Sequence, residues 1–344
     1  MDFYKQEILP VREEIESFID NEEFLNIIKK YQSDYFVLHY YDILKKYCKG
    51  GKCIRGYLVN LGYNVLADHL EGNIIYASIA YELFETGILA HDDIIDRSPV
   101  RRMVPSLHVA LGGEHKGLSR SLCVGDACIL MANAFLMESN FPIDVCLKAL
   151  KHQVKIYSHT VSGELYDIDL SYSDTYYEKE ILDMYILKTS LYTISGPLML
   201  GSILAGASDH TIEVLRVFGL NLGIAFQIVD DILGIFGSEN IIGKSVTSDA
   251  CEGKKSILTL YFNQNSTEQK YREFYRIYGK RDINHTEMNK VREILMSCGA
   301  LDYAKEKANY YSNKACSVVE TAGFSDEYTQ ILFSLCKYMI NRNM

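Results

Sequence analysis

Apolar residues spaced three and four positions apart recur along most of this chain, and no other feature constrains its fold as strongly. Ile15, Phe18 and Ile19 show the spacing, which is the period of an α-helix with one apolar face. With 5 prolines and 23 glycines in 344 residues, the chain has few turn residues for a β-sandwich. The polar stretches between helical segments are too short to separate domains. The sequence therefore predicts an all-α fold in a single domain, residues 1–344.

Two of the predicted helices are apolar on most faces and become acidic at one end. They cover residues 74–96 and 212–236. Helices of this kind belong at the centre of a bundle, so we expect both in the interior. Charge at the end of an interior helix is costly unless it is paired or binds an ion, so these ends are the first candidate sites.

The charge and cysteine content exclude several classes of protein. The 35 basic and 45 acidic side chains give a net charge of -10, which argues against a general nucleic-acid binder. The nine cysteines are scattered and odd in number, and predict neither a disulfide framework nor a zinc site. The chain starts without an apolar signal segment and has no run of roughly 18 uncharged apolar residues. We therefore expect no transmembrane segment and a cytoplasmic location.

The first acidic cluster ends the 74–96 segment. Asp92 and Asp96 stand four positions apart and share one helix face, while Asp93 lies about 100° away in a supporting position. Paired carboxylates with water suit Mg²⁺, which takes phosphate oxygens as further ligands. Arg101 and Arg102 follow and suit the phosphate groups themselves. The alternative is a solvated acidic helix end.

The second acidic cluster ends the 212–236 segment. Gln227 stands three and four positions before Asp230 and Asp231, so its amide can orient their carboxylates. Gly234 stands where the first cluster has Asp96, so this cluster offers fewer ligands, and we expect it to hold one metal ion where the first cluster holds two. The alternative is a core helix that ends in a charged turn.

Three smaller features accompany the clusters. Lys52 and Arg55 follow a glycine pair and can hold an anion from one helix face. Lys188, in an otherwise apolar segment with Thr189, needs a partner, and a diphosphate and a structural salt bridge are both open. Glu164 and Asp167 are expected on a solvent-exposed helix face.

Acidic clusters on apolar helices, each followed by basic residues, together predict a site for a diphosphate with a hydrocarbon tail. At this point the sequence resembles the trans-prenyl diphosphate synthase family, archaeal short-chain type, from about residue 48 to 262. The resemblance rests on GGKCIRG, on HDDIID with its arginine pair, on KT and FQIVDD, and on GKSVTSDACEGKKSILTL. It implies a bundle of ten or more helices around a deep central cavity, and a homodimer.

The resemblance also implies a role for each matching residue. Asp92 and Asp96 would bind two Mg²⁺ and Asp230 a third, three in each active site, with Asp93 and Asp231 supporting them. The allylic diphosphate would be held by Arg101, Lys188 and Lys244. Isopentenyl diphosphate would be held by Lys52, Arg55 and Arg102. Thr189 and Gln227 would lie between the reacting partners.

Two residues depart from the family pattern. Glu85, seven positions before Asp92, stands where the family usually has His or Gln beside isopentenyl diphosphate. A carboxylate there repels a diphosphate unless it pairs with Lys52 or Arg55 or turns away. Gly234 replaces the third aspartate of the second motif, at a less demanding position.

The product length is predicted from helix geometry. The tail would grow from Asp92 past Ile88 and Gly87, and Gly87 has no side chain to stop it. The next side chains, Leu83 and Phe84, lie one turn deeper, which is about 5.4 Å and close to one isoprene unit. Phe84 as the floor predicts the C20 product, geranylgeranyl diphosphate.

Three alternatives stay open. A terpene synthase of the same fold is favoured by Glu85 and opposed by Lys52, Arg55 and Arg102, since a lyase has no second diphosphate to hold. A non-catalytic regulatory subunit is opposed by the intact aspartates. A metal phosphohydrolase centred on His91 and Asp92 leaves FQIVDD without a purpose.

Overall fold

The computed structural model describes residues 2–238 and 247–341. These residues are overwhelmingly helical, and the α-helices in chain order are α1 Leu9–Asp20, α2 Glu22–Tyr31, α3 Asp34–Cys48, α4 Ile54–Tyr63, α5 Ile74–Ile95, α6 Leu107–Ala110, α7 Glu114–Met137, α8 Ile143–Ser171, α9 Glu178–Tyr185, α10 Gly196–Ala205, α11 Asp209–Phe236, α12 Ser248–Glu252, α13 Ile257–Asn265, α14 Glu268–Tyr275, α15 His285–Ser297, α16 Ala300–Glu320 and α17 Asp326–Ile340. A π-helix, Tyr4–Ile8, precedes α1, and a second one, Ile186–Ser195, lies between α9 and α10. The antiparallel strands β1, Val100–Arg101, and β2, Val104–Pro105, form a small hairpin.

The two predicted acidic-ended helices are present. The 74–96 segment forms α5, with Asp96 as its C-cap, and the 212–236 segment forms α11, which begins at Asp209. Side-chain caps set other helix starts: the Asn21 carboxamide accepts from the Phe24 amide at α2, and the Ser33 hydroxyl accepts from the Phe36 amide at α3. The all-α prediction is confirmed.

The chain divides into two compact units. Unit 1 comprises residues 1–155 and 196–216, and unit 2 comprises residues 156–195 and 217–344. Each unit has a buried apolar core, which includes Tyr81 and Leu200 in unit 1 and Ile228 and Phe262 in unit 2. The single domain and its deep cavity stay predictions.

Glycines allow close helix crossings in unit 1. A β-carbon on Gly62 of α4 would lie 2.1 Å from the Leu198 carbonyl oxygen of α10, and one on Gly201 would lie 1.9 Å from the Val59 carbonyl oxygen. Similarly, a β-carbon on Gly87 of α5 would lie 2.7 Å from the Gly125 carbonyl oxygen of α7. Helix α7 therefore occupies the space that a side chain at Gly87 would fill, and no open space remains on that face of α5.

Glycines also fix the second π-helix within unit 2. A β-carbon on Gly223 of α11 would lie 2.4 Å from the Ser190 Cα, and one on Gly163 of α8 would lie 2.2 Å from the Lys188 amide nitrogen. π-helical turns are rare and frequently mark functional sites. This one carries Lys188 and Thr189.

Among the described residues, two helices, α7 and α11, are long and apolar enough to cross a membrane by length and composition. In the structure, 56% of the apolar stretch of α7 and 61% of that of α11 is buried. This burial is typical of core helices in a packed protein.

Candidate active site

The first acidic cluster holds an arginine at the end of α5. Arg101 donates from Nη2 to Asp92 Oδ2 and from Nε to Asp93 Oδ1, both at 2.6 Å. Asp93 is buried, and burial raises the pKa of its carboxyl to about 6 although Arg101 opposes the shift. Asp96 follows as the helix C-cap and is half-buried. The predicted arginine and acidic cluster are thus one ion-paired group.

A tight turn places the two arginines. Arg102 and Met103 connect β1 to β2 with φ values of 54° and 63°. Positive φ at both central positions is the geometry of a type I′ hairpin turn, which residues other than Gly, Asn and Asp adopt at a conformational cost. The turn sends Arg101 towards Asp92, and the Arg102 side chain reaches back to α5.

Glu85 pairs with both arginines expected at the isopentenyl diphosphate site. Its Oε1 lies 2.8 Å from Arg55 Nη1 and 2.9 Å from Arg102 Nη2. Glu85 was expected to pair with Lys52 or Arg55 or to turn away, and in the structure it pairs with Arg55. Glu82, one turn earlier, accepts from the Gly56 amide at 2.8 Å.

The glycine pair before Lys52 lets the Arg102 side chain lie close to the backbone. A β-carbon on Gly51 would lie 2.9 Å from both Arg102 Nη1 and Nη2, so a larger residue there would displace this guanidinium from its position. Lys52 itself is exposed. A cavity of about 220 Å³ lies beside the two arginines, and Arg101, Arg102 and Leu89 form part of its wall.

In unit 2, a row of hydrogen bonds runs from the π-helix to the second acidic cluster. The Thr189 hydroxyl donates to Gln227 Oε1 at 2.5 Å, and Gln227 Nε2 donates to Asp231 Oδ1 at 2.8 Å. The Tyr185 hydroxyl donates to the other Asp231 oxygen. Burial raises the pKa of Asp231 to about 7. The structure thus has the Gln227 contact with Asp231, one of the two carboxylates for which the contact was predicted, and Asp230 is the half-buried neighbour.

Lys188 forms the salt bridge that the sequence left open. Its Nζ lies 2.5 Å from Asp167 Oδ2 and 3.0 Å from Glu164 Oε2. All three side chains are less than 20 % exposed, with Lys188 and Glu164 each at 19%. The expectation that Glu164 and Asp167 face solvent is wrong, because both turn towards the ammonium group that burial would otherwise leave without a counter-charge.

Asp249 lies against Gly234, in the space that a side chain on Gly234 would occupy. Its Oδ2 lies 1.8 Å from where a β-carbon on Gly234 would stand. Lys254 lies 3.5 Å from Asp249 Oδ1 and 3.1 Å from Glu252 Oε2. Lys244, which the resemblance assigns to the allylic diphosphate, lies outside the described residues.

Comparison with known proteins decides the family. Residues 38–295 match the family model for polyprenyl synthetase, which is more than half of the chain. The chain belongs to the polyprenyl synthetase family. It is 30% identical to the geranylgeranyl diphosphate synthase of Sulfolobus acidocaldarius in an alignment of 346 positions. This alignment covers 99% of this chain and 98% of that one. It is also 30% identical to the geranylfarnesyl diphosphate synthase of Aeropyrum pernix over 300 residues, 85% of this chain and 91% of that one.

Solved structures of the family share the fold. The geranylgeranyl pyrophosphate synthase of Corynebacterium glutamicum, crystallised with isoprenyl diphosphate and magnesium, superposes with a TM-score of 0.88 at 25% identity. The superposition covers 100% of both chains. The family assignment makes this protein a prenyltransferase, so a non-catalytic subunit and a phosphohydrolase are set aside. His91 fits this outcome, since its Nε2 faces the Leu122 carbonyl oxygen and Asp126 of α7.

The carboxylates of this polyprenyl synthetase suit a hard divalent cation in donor chemistry. Within residues 2–238 and 247–341, no three acidic, His or Cys side chains are placed to hold a metal ion by themselves. As carboxylate donors, Asp92, Asp96 and Asp230 fit Mg²⁺ with diphosphate oxygens and water as its remaining ligands. Their assignment, like the diphosphate contacts of Lys52, Arg55 and Arg101, stays a prediction.

Sequence reasoning missed three residues of this polyprenyl synthetase site. Tyr185 stands three positions before Lys188, but nothing in the sequence links it to Asp231. Asp249 belongs to the motif GKSVTSDACEGKKSILTL, but the sequence assigns it no role. Only the fold places it against Gly234. Glu82 is an acidic residue in an apolar run, three positions before Glu85. This spacing places both carboxylates on one helix face and could have indicated their contact.

Proposed function

We propose that the protein condenses isopentenyl diphosphate head-to-tail with an allylic prenyl diphosphate, with Mg²⁺, and releases geranylgeranyl diphosphate. The observation that carries the proposal is the ion-paired group at the end of α5. There, Asp92 and Asp93 hold Arg101 at the end of a helix whose other residues are largely buried and apolar. Such a site offers carboxylates for a metal ion and a guanidinium for the same phosphate group.

The side chains of this protein would share the charge of the leaving group. Asp92, Asp96 and Asp230 would hold three Mg²⁺ per active site, which supply positive charge that stabilises the departing diphosphate. Arg101 and Lys188 add fixed positive charge on the allylic diphosphate, and Lys244 is assigned there by resemblance. Lys188 already lies between Glu164 and Asp167, which hold its ammonium group in one position.

The carbon chemistry follows from that stabilisation. The allylic C–O bond breaks with its electron pair on the diphosphate, and the double bond of isopentenyl diphosphate forms the new C–C bond to the resulting cation. The proton lost passes to the released diphosphate. Thr189 and Gln227 would present oriented dipoles beside the reacting carbons, because their mutual hydrogen bond fixes both groups.

Product analysis tests the proposal. The purified protein is incubated with Mg²⁺, isopentenyl diphosphate and each allylic diphosphate in turn, and products are sized by chromatography. We expect a C20 diphosphate, its loss in Asp92→Asn, and its retention in Asp68→Asn, an exposed aspartate in the loop before α5. Isopentenyl diphosphate that stays unconsumed would overturn the transferase assignment, and a cyclic hydrocarbon would replace it with the lyase.

Phe84 is the proposed floor of the chain-length pocket. At about 100° per residue, Ile88 and Phe84 lie about 40° and 80° from Asp92 around α5, whereas Leu83 lies about 180° away. Both Phe84 and Leu83 are buried. We expect Phe84→Ala to lengthen the product to C25 or more, and Leu83→Ala to lower stability at unchanged length. An unchanged C20 profile in Phe84→Ala rejects it as the floor.

We further propose a cytoplasmic homodimer. Support comes from exposed apolar side chains of unit 1, at spacings of four and seven residues: Leu130 and Met137 on α7, and Ile143, Leu147 and Val154 at the start of α8. Ile143 is 87% exposed and Leu130 66%, which is unusual for residues of this size. A second copy of the chain would cover this apolar patch.

A further inference from the structure

One carboxylate oxygen of α5 binds two guanidinium groups from different elements. Arg55 comes from α4 and Arg102 from the β1–β2 turn, and both reach Glu85 Oε1 within 2.9 Å. The Glu85 side chain is only 10% exposed and that of Arg55 13%. Ion pairs this sheltered from water are screened little by salt, and removing one partner leaves a buried charge without compensation.

Neighbouring groups hold this arrangement in place. Glu82 accepts from the Gly56 amide and is hydrogen-bonded to Glu85. Burial raises the pKa of Glu82, while Arg55 and Arg102 lower that of Glu85. Glu82 thus keeps the proton of the carboxyl pair, and Glu85 faces the arginines with its full negative charge.

Arg102 is fixed from its own side as well. Its backbone occupies the left-handed region, and its guanidinium lies against Gly51, where a β-carbon would displace it. The turn brings the Arg102 guanidinium between Gly51 and Glu85, and Glu85 is its partner in the free protein.

We propose that Glu85 is an internal counter-anion that the diphosphate of the second substrate must displace from Arg55 and Arg102. This rests on the proposed function, in which these arginines hold isopentenyl diphosphate. A diphosphate carries more charge than one carboxylate and offers several acceptors to each guanidinium, so it can replace Glu85, whereas a singly charged anion cannot. Glu85 thereby weakens binding of this substrate and restricts the site to highly charged anions.

Calorimetric titration with isopentenyl diphosphate in EDTA tests the inference without metal-dependent binding. The variants are Glu85→Gln and, as control, Glu138→Gln, whose carboxylate pairs with Lys30 on another face of unit 1. We expect Glu85→Gln to bind about tenfold more tightly, because a charge-assisted hydrogen bond no longer has to break. The control should bind as the unsubstituted protein does.

Steady-state kinetics with Mg²⁺ supply the second readout. The KM for isopentenyl diphosphate should fall in Glu85→Gln while the KM for the allylic diphosphate stays constant, a split that a purely structural role would not produce. Unchanged or weaker binding by a folded Glu85→Gln overturns the inference. If that variant does not fold, Glu85→Asp, whose carboxylate is drawn back by one methylene, must bind more tightly for the inference to stand. Failure of the proposed function is distinct, since the unsubstituted protein would then consume no isopentenyl diphosphate at all.

Discussion

The Thr189 hydroxyl orients a whole row of polar groups. It donates to Gln227 Oε1, which leaves the amide nitrogen to donate to Asp231. Thr189→Val removes the donor and frees the amide to rotate, so we expect kcat to fall about tenfold with little change in melting temperature. Thr189→Ser keeps the hydroxyl and should keep kcat. Equal kcat in the Val and Ser variants would show that the row has no catalytic role.

The carboxyl pair of Glu82 and Glu85 makes stability depend on pH. Burial, assisted by the Glu85 charge, raises the pKa of Glu82 from 4.5 to about 8 in the folded protein. The stability that this proton contributes is fully present below the unfolded pKa and is lost as pH rises through the folded pKa. Glu82→Gln keeps an uncharged group, so its melting temperature should fall less as the pH rises from 4.5 to about 8.

Glu138→Gln provides a control of opposite sign. Lys30 lowers the pKa of Glu138, so the stability from that carboxylate is present above its ordinary pKa and is lost as pH falls. Identical melting profiles for Glu82→Gln and the unsubstituted protein would contradict the assignment of the proton to Glu82.

At the residue scale the sequence predicted which groups matter better than it predicted their partners. Gln227 and Asp231 are close in sequence, and their four-residue spacing in a helix was enough to predict their contact. Lys188 and Asp167 are 21 positions apart, and no local pattern could choose a salt bridge over a ligand. Glu85 shows the same limit, since its choice of Arg55 and Arg102 depends on how α4, α5 and the hairpin pack.

At the element scale, the crossing of α4 and α10 depends on glycine. The β-carbon of Gly62→Ala would meet the Leu198 carbonyl oxygen at 2.1 Å, so we expect a loss of about 3 kcal/mol, measured as a lower melting temperature. The clash is with the backbone, so adding Leu198→Ala should not restore stability. Recovery in the double variant would show that side-chain crowding was the cause.

The helices themselves were largely predictable, because apolar spacing is a local property. The 74–96 and 212–236 segments were predicted within a few residues of α5 and α11. The π-helix at Ile186–Ser195 was not, because it forms where α8 and α11 approach closely through Gly163 and Gly223. Local sequence carries no signal for such a contact.

At the scale of the whole molecule, the apolar patch on α7 and α8 predicts self-association. Leu130→Glu places a charge among these exposed apolar side chains, so we expect a dimer by sedimentation for the unsubstituted protein and a monomer for the variant. Leu38→Glu, at a 78% exposed leucine on α3, should stay dimeric. A monomer in the unsubstituted protein would remove the homodimer proposal.

The sequence by itself determined the helical class, the positions of both acidic clusters and the family, because each depends on residue type and on spacing along the chain. The tertiary structure alone decided the partners of the charged groups: Glu85 with two arginines, Lys188 with two carboxylates, and Asp249 beside Gly234. Buried charges take the nearest opposite charge that the packed helices bring to them, and residues distant in sequence become neighbours only when the chain has folded.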